Sequence, residues 1–304
     1  MALCLISYPI KMTDKSKFPD DRPAFTREQL ISQIRALGIG EGHLLHLKVS
    51  LKSLGPVEGG AQTLLDAFLE VVGSSGTLVV DAFSQSFKLP MSQAESNYIS
   101  DSHSKAYTGY FNQIFIQHPS MVRSRHPVQR FAAIGALAHE LMDNHTPFSP
   151  AYDVLERLAR KGARNVNVGE NIIGVGTTHV AIEETMLRKH NPPMGVNYLD
   201  VDGEVKFFRV NWMGGCSRGC VKYVPEYERL GLVMRGSVGY ATVMITDMHG
   251  TLAVDRQMIA RDPSSFFCDD PTCKDCQLRW DHSTGNWFSV KWLSLVAIVK
   301  NWMK

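Results

Sequence analysis

The stretch Leu44–Phe83 constrains the fold most, because apolar runs alternate there with turns of small residues. Its first run, Leu44–Val49, predicts a buried parallel strand. A Pro-Val-Glu-Gly-Gly turn then opens a segment with apolar residues at helical spacing, which Gly73 and Gly76 end. Thr77–Val80 resumes as an apolar, β-branched strand. The stretch therefore predicts a βαβ unit with a small-residue loop at the carboxyl end of its first strand.

That loop is a candidate ligand site. In α/β proteins, free backbone N–H groups and the N-terminus of the following helix attract phosphate at this place. The alternative is an ordinary turn that binds nothing. Composition alone leaves both open.

The composition favours a large folded chain and disfavours several classes of protein. Of 304 residues, 44% are hydrophobic and 20% are charged, which suits one large domain or two smaller ones. A formal net charge of +2 offers no global field for nucleic acid. No apolar run is long enough to span a membrane, and the first residues lack the pattern of a secretory signal. We therefore expect a cytoplasmic protein whose cysteines stay reduced.

The chain divides into three parts by pattern. Residues 1–24 are expected to form an N-terminal arm and residues 25–190 an α/β core. Residues 191–304 show short alternating runs and carry most of the cysteines, which predicts a β-rich portion packed on the core. The predicted fold class is α/β, with a central mixed, largely parallel sheet flanked by helices.

Several local elements can be placed as well. Thr26 can cap a first helix, with Gln29 at the capping-box position. A helix is predicted over residues 151–161 and a strand over residues 165–168. Residues 84–114 are polar and irregular, and because long insertions in compact domains are often functional, we expect them to cover the active site.

Four motifs, spread over about residues 28 to 185, occur in an order that resembles the aminoglycoside 3-N-acetyltransferases, an acetyl-coenzyme A-dependent antibiotic N-acetyltransferase superfamily. They are the loop Ser50-Leu51, Leu54-Gly55, Val57 and Gly59-Gly60, the strand Gly76-Thr77-Leu78-Val79 with Phe83, the segment Arg123-Ser124-Arg125-His126-Pro127 with Phe131, Ala133 and Gly135, and the turn Phe148-Ser149-Pro150.

The resemblance implies transfer of an acetyl group from acetyl-coenzyme A to a small-molecule amine, either an aminoglycoside or a related amino sugar. It also implies that the first loop and the Arg-Ser-x-His-Pro segment lie near the coenzyme. The residues that it places there are Lys48, Ser50, Leu51, Gly55, Arg123, Ser124, His126 and Phe131.

The segment from residue 174 to residue 184 follows a predicted strand and carries groups suited to this reaction. Direct attack of an amine on a thioester needs a base, a group that orients the base, and donors for the oxyanion. His179 can be the base, since imidazole titrates near neutral pH. Glu183 or Glu184 could orient it, while Thr177, Thr178 or backbone N–H groups could meet the oxyanion.

The chain departs from the family pattern at two places. Relatives have approximately Thr-x-x-His-x-x-Glu, and the alignment that keeps Thr177 and Glu183 puts Val180 at the histidine position. His179 is one residue early, which rotates its ring by roughly 100° on a helix. In the first loop, Lys48-Val49-Ser50 stands where the family often has His-Ser-Ser. Either His179 has taken over the role, or another histidine such as His126 supplies the base, or the activity is weak or lost.

Five cysteines form two groups near the C-terminal end. Gly and Pro between closely spaced thiols suit tetrahedral thiolate coordination. We expect a structural zinc on the second group with one cysteine of the first; an iron–sulfur cluster or free buried thiols are the alternatives. The first group is Cys216 and Cys220, and the second is Cys268, Cys273 and Cys276.

The last apolar stretch, residues 289–304, predicts an amphipathic helix. It docks onto the core or a second copy of the chain, which would give a homodimer, or lies on a membrane surface. For function, two alternatives to an acetyltransferase stay open: a non-catalytic coenzyme A-binding scaffold that lost the base, and a metal-dependent enzyme that uses the cysteine cluster.

Overall fold

The computed structural model describes residues 21–169, 175–185, 189–190, 192–211 and 215–302. Most of the predicted N-terminal arm lies outside the described residues. Among the described residues, no helix has both the length and the apolar character needed to cross a membrane.

Eleven strands are described. In chain order they are β1 (Leu44–Val49), β2 (Thr77–Asp81), β3 (Phe87–Lys88), β4 (Ile99–Ser100), β5 (Val122–Arg123), β6 (Phe131–Gly135), β7 (Arg164–Val168), β8 (Met194–Leu199), β9 (Val205–Arg209), β10 (Val233–Val238) and β11 (Ala241–Asp247).

Twelve α-helices are described in the same part of the chain, with a 3₁₀ helix at Ser217–Tyr223. They are α1 (Arg27–Ala36), α2 (Leu51–Leu54), α3 (Gly60–Val72), α4 (Gln93–Ser96), α5 (Tyr110–Phe115), α6 (Ala138–Met142), α7 (Asp153–Arg160), α8 (Thr177–Glu184), α9 (Val224–Arg229), α10 (Met248–Arg261), α11 (Lys274–Leu278) and α12 (Trp287–Trp302).

A seven-stranded mixed sheet forms the centre of the molecule, in the order β10-β11-β7-β1-β2-β6-β5. Strands β7, β1 and β2 are parallel, and each flank adds an antiparallel pair. The predicted βαβ unit is confirmed: β1 and β2 pair in parallel, and α3 connects them. The α/β fold class is therefore confirmed.

Two apolar layers cover the sheet. Helices α1, α3 and α5 pack on one face against residues such as Leu45, Leu47 and Val80. Helices α6, α7, α8 and α10 pack on the other face against Val79 and Phe131. Because side chains alternate along a strand, the residues next to Leu45, Leu47 and Val80 point to the opposite face of the sheet, which α8 covers.

The local predictions hold with small shifts of boundary. Thr26 and Gln29 form the predicted capping box of α1. The helix predicted over residues 151–161 is α7, and the strand predicted over residues 165–168 is β7. The polar segment 84–114 contains β3, α4, β4 and α5, each short.

The C-terminal part is less β-rich than predicted. Strands β8 and β9 pair in a small separate sheet with β3 and β4, as the alternating pattern suggested. Strands β10 and β11, however, complete the main sheet beside β7. Helix α10, with 14 residues, was not predicted; its buried face includes polar Thr251 and Asp255, which interrupt the apolar helical pattern.

Gly135 lies where the backbone of β6 closely approaches the start of β2. Its φ is +124°, and a Cβ there would overlap the carbonyl oxygen of Gly76. Gly135→Ala should lower the free energy of unfolding by roughly 3 kcal/mol, since it adds backbone strain and overpacking. Gly38→Ala, at φ +67° with open space around it, should cost only about 1 kcal/mol. Urea denaturation of both variants checks this; equal losses would contradict the close approach.

Candidate active site and cysteine cluster

A row of polar side chains lies buried on the α8 side of the central sheet. His46 in β1 is fully buried. Its Nδ1 is 2.9 Å from Oδ1 of Asn165 in β7, and its Nε2 is 3.0 Å from Oδ1 of Asp81 in β2. Three adjacent parallel strands thus each contribute one member, and Asp81 stands at the carboxyl end of its strand, where α/β proteins present their catalytic groups.

The contacts of His46 determine the ionisation of Asp81 at the end of this row. The amide nitrogen of Asn165 donates to Oδ1 of Asn167 at 2.9 Å, so its oxygen faces His46. Both nitrogens of His46 thus face oxygen atoms, those of Asn165 and Asp81. Burial by itself would raise the pKa of Asp81, but His46 outweighs it and lowers the pKa to about 2. The row therefore ends in a carboxylate.

Helix α8 lies over this side of the sheet and carries His179. The His179 ring stacks on Tyr152, with ring centroids 4.9 Å apart. The residue is partly exposed, yet its Nδ1 is shielded from solvent and has no hydrogen-bond partner among the described residues. Burial, followed by the nearby charge of Lys48, lowers the pKa of His179 to about 4. Its ring is therefore neutral at pH 7, and Nδ1 is a buried nitrogen without a hydrogen-bond partner among the described residues.

The predicted orienting carboxylate, Glu183, contacts the residue on which His179 stacks. Glu183 accepts hydrogen bonds from the backbone N–H groups of Ala151, at 2.9 Å, and Tyr152, at 3.2 Å. It thereby fixes the residue whose ring supports His179. Glu184 pairs instead with Arg256 of α10 at the surface.

The two threonines at the start of α8 are buried against α10. Thr177 donates to Oδ2 of Asp255 at 2.6 Å and lies 3.2 Å from the hydroxyl of Thr251. Burial raises the pKa of Asp255 to about 7, although the Thr177 hydrogen bond opposes the rise. Thr177 therefore fastens the helix, and the oxyanion role predicted for Thr177 and Thr178 stays a prediction.

Four of the predicted coenzyme residues lie at the carboxyl end of β1. Lys48 ends the polar row, with Nζ beside Gly176 at the start of α8. Ser50 follows, and its Oγ is 3.0 Å from Oγ of Ser53. Leu51 begins the four-residue α2, and Gly55 after it has a φ of +82°. The structure thus brings the first loop to the same end of the sheet as His179.

The other predicted coenzyme residues lie around β5 and β6. Arg123 is buried, and its guanidinium donates to backbone carbonyls, including that of Ala82 at 2.6 Å. Ser124 accepts from the N–H of Phe131 at 2.9 Å. His126 is buried and stacks on His145. These contacts favour structural roles for Arg123, Ser124 and His126; coenzyme contact stays a prediction.

Phe131 is the member of that group that reaches the polar row. It pairs with Asp81 across β2 and β6. Its ring packs edge-on against Phe83, at 5.5 Å, and lies 6.5 Å from the ring of His46. Phe131 therefore places an apolar ring beside His46 and Asp81.

Sequence reasoning missed His46, Asp81 and Asn165. A signal for them existed, because each is a polar residue inside or at the end of an otherwise apolar strand. Buried polar groups need hydrogen-bond partners, so three such positions in neighbouring strands predict a network. The strand order that brings them together was not available from the sequence.

The cysteines form one compact group of four. The sulfur atoms of Cys216, Cys268, Cys273 and Cys276 all lie within 4.8 Å of one another. Cys216 is partly exposed and the other three are buried. Cys220 stands apart, and burial raises the pKa of its thiol to about 12. Of the two candidates for a fourth ligand, the structure selects Cys216.

The donor set fits a tetrahedral thiolate site. Four sulfurs at this separation can surround one ion with Zn–S bonds of about 2.3 Å. The backbone N–H of Cys268 points to Sγ of Cys276 at 3.4 Å, and Nε of Arg218 lies 3.3 Å from Sγ of Cys216. Such donors stabilise sulfur in its anionic form.

Known structures share this fold. AAC(3)-IVa, solved as a histidine-to-alanine mutant in complex with a gentamicin, aligns with a TM-score of 0.72 at 22% identity, over 84% of this chain and 96% of that one. AAC-IIIb, solved as a binary complex with CoASH, aligns with a TM-score of 0.68 at 19% identity, over 79% and 97%.

Curated relatives match about half of the chain in sequence. Aminoglycoside N(3)-acetyltransferase III of Salmonella sp is 30% identical over 176 residues, which is 51% of this chain and 59% of the relative. Aminoglycoside N(3)-acetyltransferase VIII of Streptomyces fradiae is 32% identical over 166 residues, 47% and 56% of the two chains. The match thus spans less than two thirds of these relatives.

The family model for aminoglycoside 3-N-acetyltransferase matches residues 45–260. This range includes the polar row, α8 and the first loop, and it covers well over half of the 304 residues. The chain belongs to the aminoglycoside 3-N-acetyltransferase family.

Proposed function

We propose that the protein transfers the acetyl group of acetyl-coenzyme A to an amine of an aminoglycoside or related amino sugar, with His179 as general base. Family membership supports the reaction type. The observation that carries the assignment of the base is the neutral His179 ring, held on Tyr152 with an unpartnered Nδ1 among the described residues.

The reaction needs one proton acceptor at the right place. The amine nitrogen attacks the thioester carbonyl, forming a C–N bond while the C–S bond breaks. The proton lost by the nitrogen passes to His179, and the departing thiolate takes up a proton as free coenzyme A. The lowered pKa of His179 means that its ring is uncharged at neutral pH and therefore has a lone pair that can accept the proton.

The other candidates for the base fit less well. Val180, at the family's histidine position, is buried in the apolar layer with Ala181 and Ile182. His126 is 3% exposed, and its Nδ1 accepts the backbone N–H groups of Val128 and Gln129. Neither position offers a base that a substrate can reach.

The coenzyme is proposed to lie along the first loop. Lys48 supplies a positive charge there, and the short α2 together with the glycines around residue 59 leaves backbone N–H groups for phosphate or amide oxygens. A solved relative bound to CoASH supports the coenzyme. The cytoplasmic location and the homodimer stay predictions.

The rival function is a coenzyme-binding protein without catalysis. It is favoured by the absence of a histidine at Val180 and by Lys48 in place of the family's first-loop histidine. It predicts acetyl-coenzyme A binding without turnover on any amine.

His179→Gln should reduce acetylation of an accepted amine by about 10²- to 10⁴-fold, the usual contribution of a general base. Coenzyme affinity should change little. Thiol release from acetyl-coenzyme A measures the rate. His139→Gln, at an exposed histidine on α6, is the control and should behave like the wild-type protein. Undiminished turnover in His179→Gln would remove this residue from the mechanism.

The pKa of His179 can be measured directly by NMR titration of ¹³C-labelled histidine. We expect about 4, and an increase in Lys48→Met because the neighbouring positive charge is removed. Lys52→Met, at an exposed lysine of the same loop, should leave the value unchanged. An ordinary histidine pKa in the wild-type protein would contradict the site's electrostatics.

We also propose that the four clustered cysteines hold one structural zinc. All four positions are filled by protein thiolates, which leaves no open position for water or substrate and so disfavours the metal-dependent enzyme. The ion would supply coordination bonds that hold together a turn-rich segment with little regular structure of its own.

Elemental analysis should find about one zinc per chain in protein purified without chelator. Cys273→Ser should lose the metal, because it removes one of four ligands. Cys220→Ser is the matched control, since Cys220 lies outside the cluster, and it should keep the metal. Metal-free wild-type protein that is stable would support free thiols, and visible absorbance from iron would support a cluster.

A further inference from the structure

One carboxylate within the cysteine cluster joins two separate parts of the chain. Asp275 lies between Cys273 and Cys276, in α11. Its Oδ2 accepts the backbone N–H of Cys216 at 2.5 Å, and its Oδ1 accepts from Nζ of Lys189 at 3.0 Å. The cluster is therefore linked directly to the segment that follows α8.

Lys189 is held tightly at this point. Its side chain is 2% exposed, and its Nζ lies 5.1 Å from the ring centroid of Trp280. A buried ammonium is costly unless a carboxylate compensates it, and Asp275 does so. Lys189 also forms an antiparallel bridge with Trp280, and the N–H of His190 donates to the carbonyl of Arg279 at 2.7 Å.

Helix α8 ends at Glu184, shortly before Lys189. Its first turn is fastened to α10 through Thr177 and Asp255. Its last turn is fastened through Glu183 to the start of α7 and through Glu184 to Arg256 of α10. The Lys189–Asp275 pair is a fourth attachment, in the chain just after the carboxyl end of the helix. It is the attachment whose partner, Asp275, lies among the clustered cysteines.

We propose that the four-thiolate metal site is a clasp for α8: the metal fixes α11, Asp275 fixes Lys189, and Lys189 fixes the end of the helix that carries His179. The role of the clasp in catalysis rests on the proposed function. Lys189 and Asp275 are then positioning residues, which act on the reaction by keeping the His179 ring against Tyr152. The mechanical part of the proposal, a metal that restrains α8, is independent of turnover.

Hydrogen exchange followed by mass spectrometry tests the clasp without an activity assay. Removing zinc by chelation should accelerate exchange of the amides of α8 at least 10-fold, while α3, on the opposite face of the sheet, keeps its wild-type rates. Equal acceleration in α3 and α8 would show that the metal supports the whole fold, and unchanged exchange in α8 would show no coupling. Either result overturns the clasp.

Lys189→Met separates the clasp from loss of metal, because methionine keeps an apolar stem against Trp280 and leaves all four thiols intact. We expect about one zinc per chain, faster exchange in α8, and a decrease in kcat of roughly 10- to 100-fold with little change in KM. The control is Lys222→Met, whose ammonium contacts the other side of the cluster at the carbonyl of Phe267. It should match the wild-type protein.

The two proposals fail in different ways. If the wild-type protein acetylates no amine but zinc removal loosens α8 alone, the clasp stands and the proposed function falls. If the wild-type protein is active and Lys189→Met keeps both its kcat and the exchange rates of α8, the clasp is overturned while the function stands.

Discussion

The structure depends on a row of hydrogen-bonded polar side chains in the middle of a β-sheet. His46 and Asp81 are hydrogen-bonded across β1 and β2, and Asn165 completes the row from β7. Polar side chains in an apolar interior are tolerated only when their hydrogen-bonding atoms have partners and the geometry of those partners is fixed. Here the rigid spacing of three parallel strands provides that geometry.

Helix α8 packs on the face of the sheet that carries this row. Its own sequence supplies apolar contacts through Val180, Ala181 and Ile182, while the neighbouring position, His179, faces Tyr152. A shift of one residue along the helix thus separates Val180, which packs in the core, from His179, the proposed base. The family's histidine position is occupied here by Val180, which lies in the core. The residue before it, His179, places its ring against Tyr152.

Much of the fold could be predicted from the sequence, because local patterns determine it. The β1–α3–β2 unit and the capping box at Thr26 follow from apolar periodicity and side-chain chemistry. Helix α10 could not be predicted, because two polar residues, Thr251 and Asp255, interrupt its buried apolar face. These residues form hydrogen bonds with α8 and with Tyr227, which lie elsewhere in the sequence.

The site was predictable in part for the same reason. His179 and the clustered cysteines stand out by residue type and spacing, whereas the partners of Asp81 depend on a strand order that the sequence does not show. The choice of Cys216 over Cys220 depends on how the 3₁₀ helix at Ser217–Tyr223 directs two sulfurs to different sides. The link from Asp275 to Lys189 joins residues 86 positions apart, by 275 minus 189, and no pattern in the chain announces it.

Acetylation of an amine by this chain is tested most directly by product analysis with the wild-type protein. Purified protein is incubated with acetyl-coenzyme A and a panel of aminoglycosides and simple amino sugars, and mass spectrometry follows the acceptors. We expect an acceptor heavier by one acetyl group, with one equivalent of free coenzyme A released. Acetyl-coenzyme A binding with no acetylated product across the panel would contradict it and favour the coenzyme-binding scaffold.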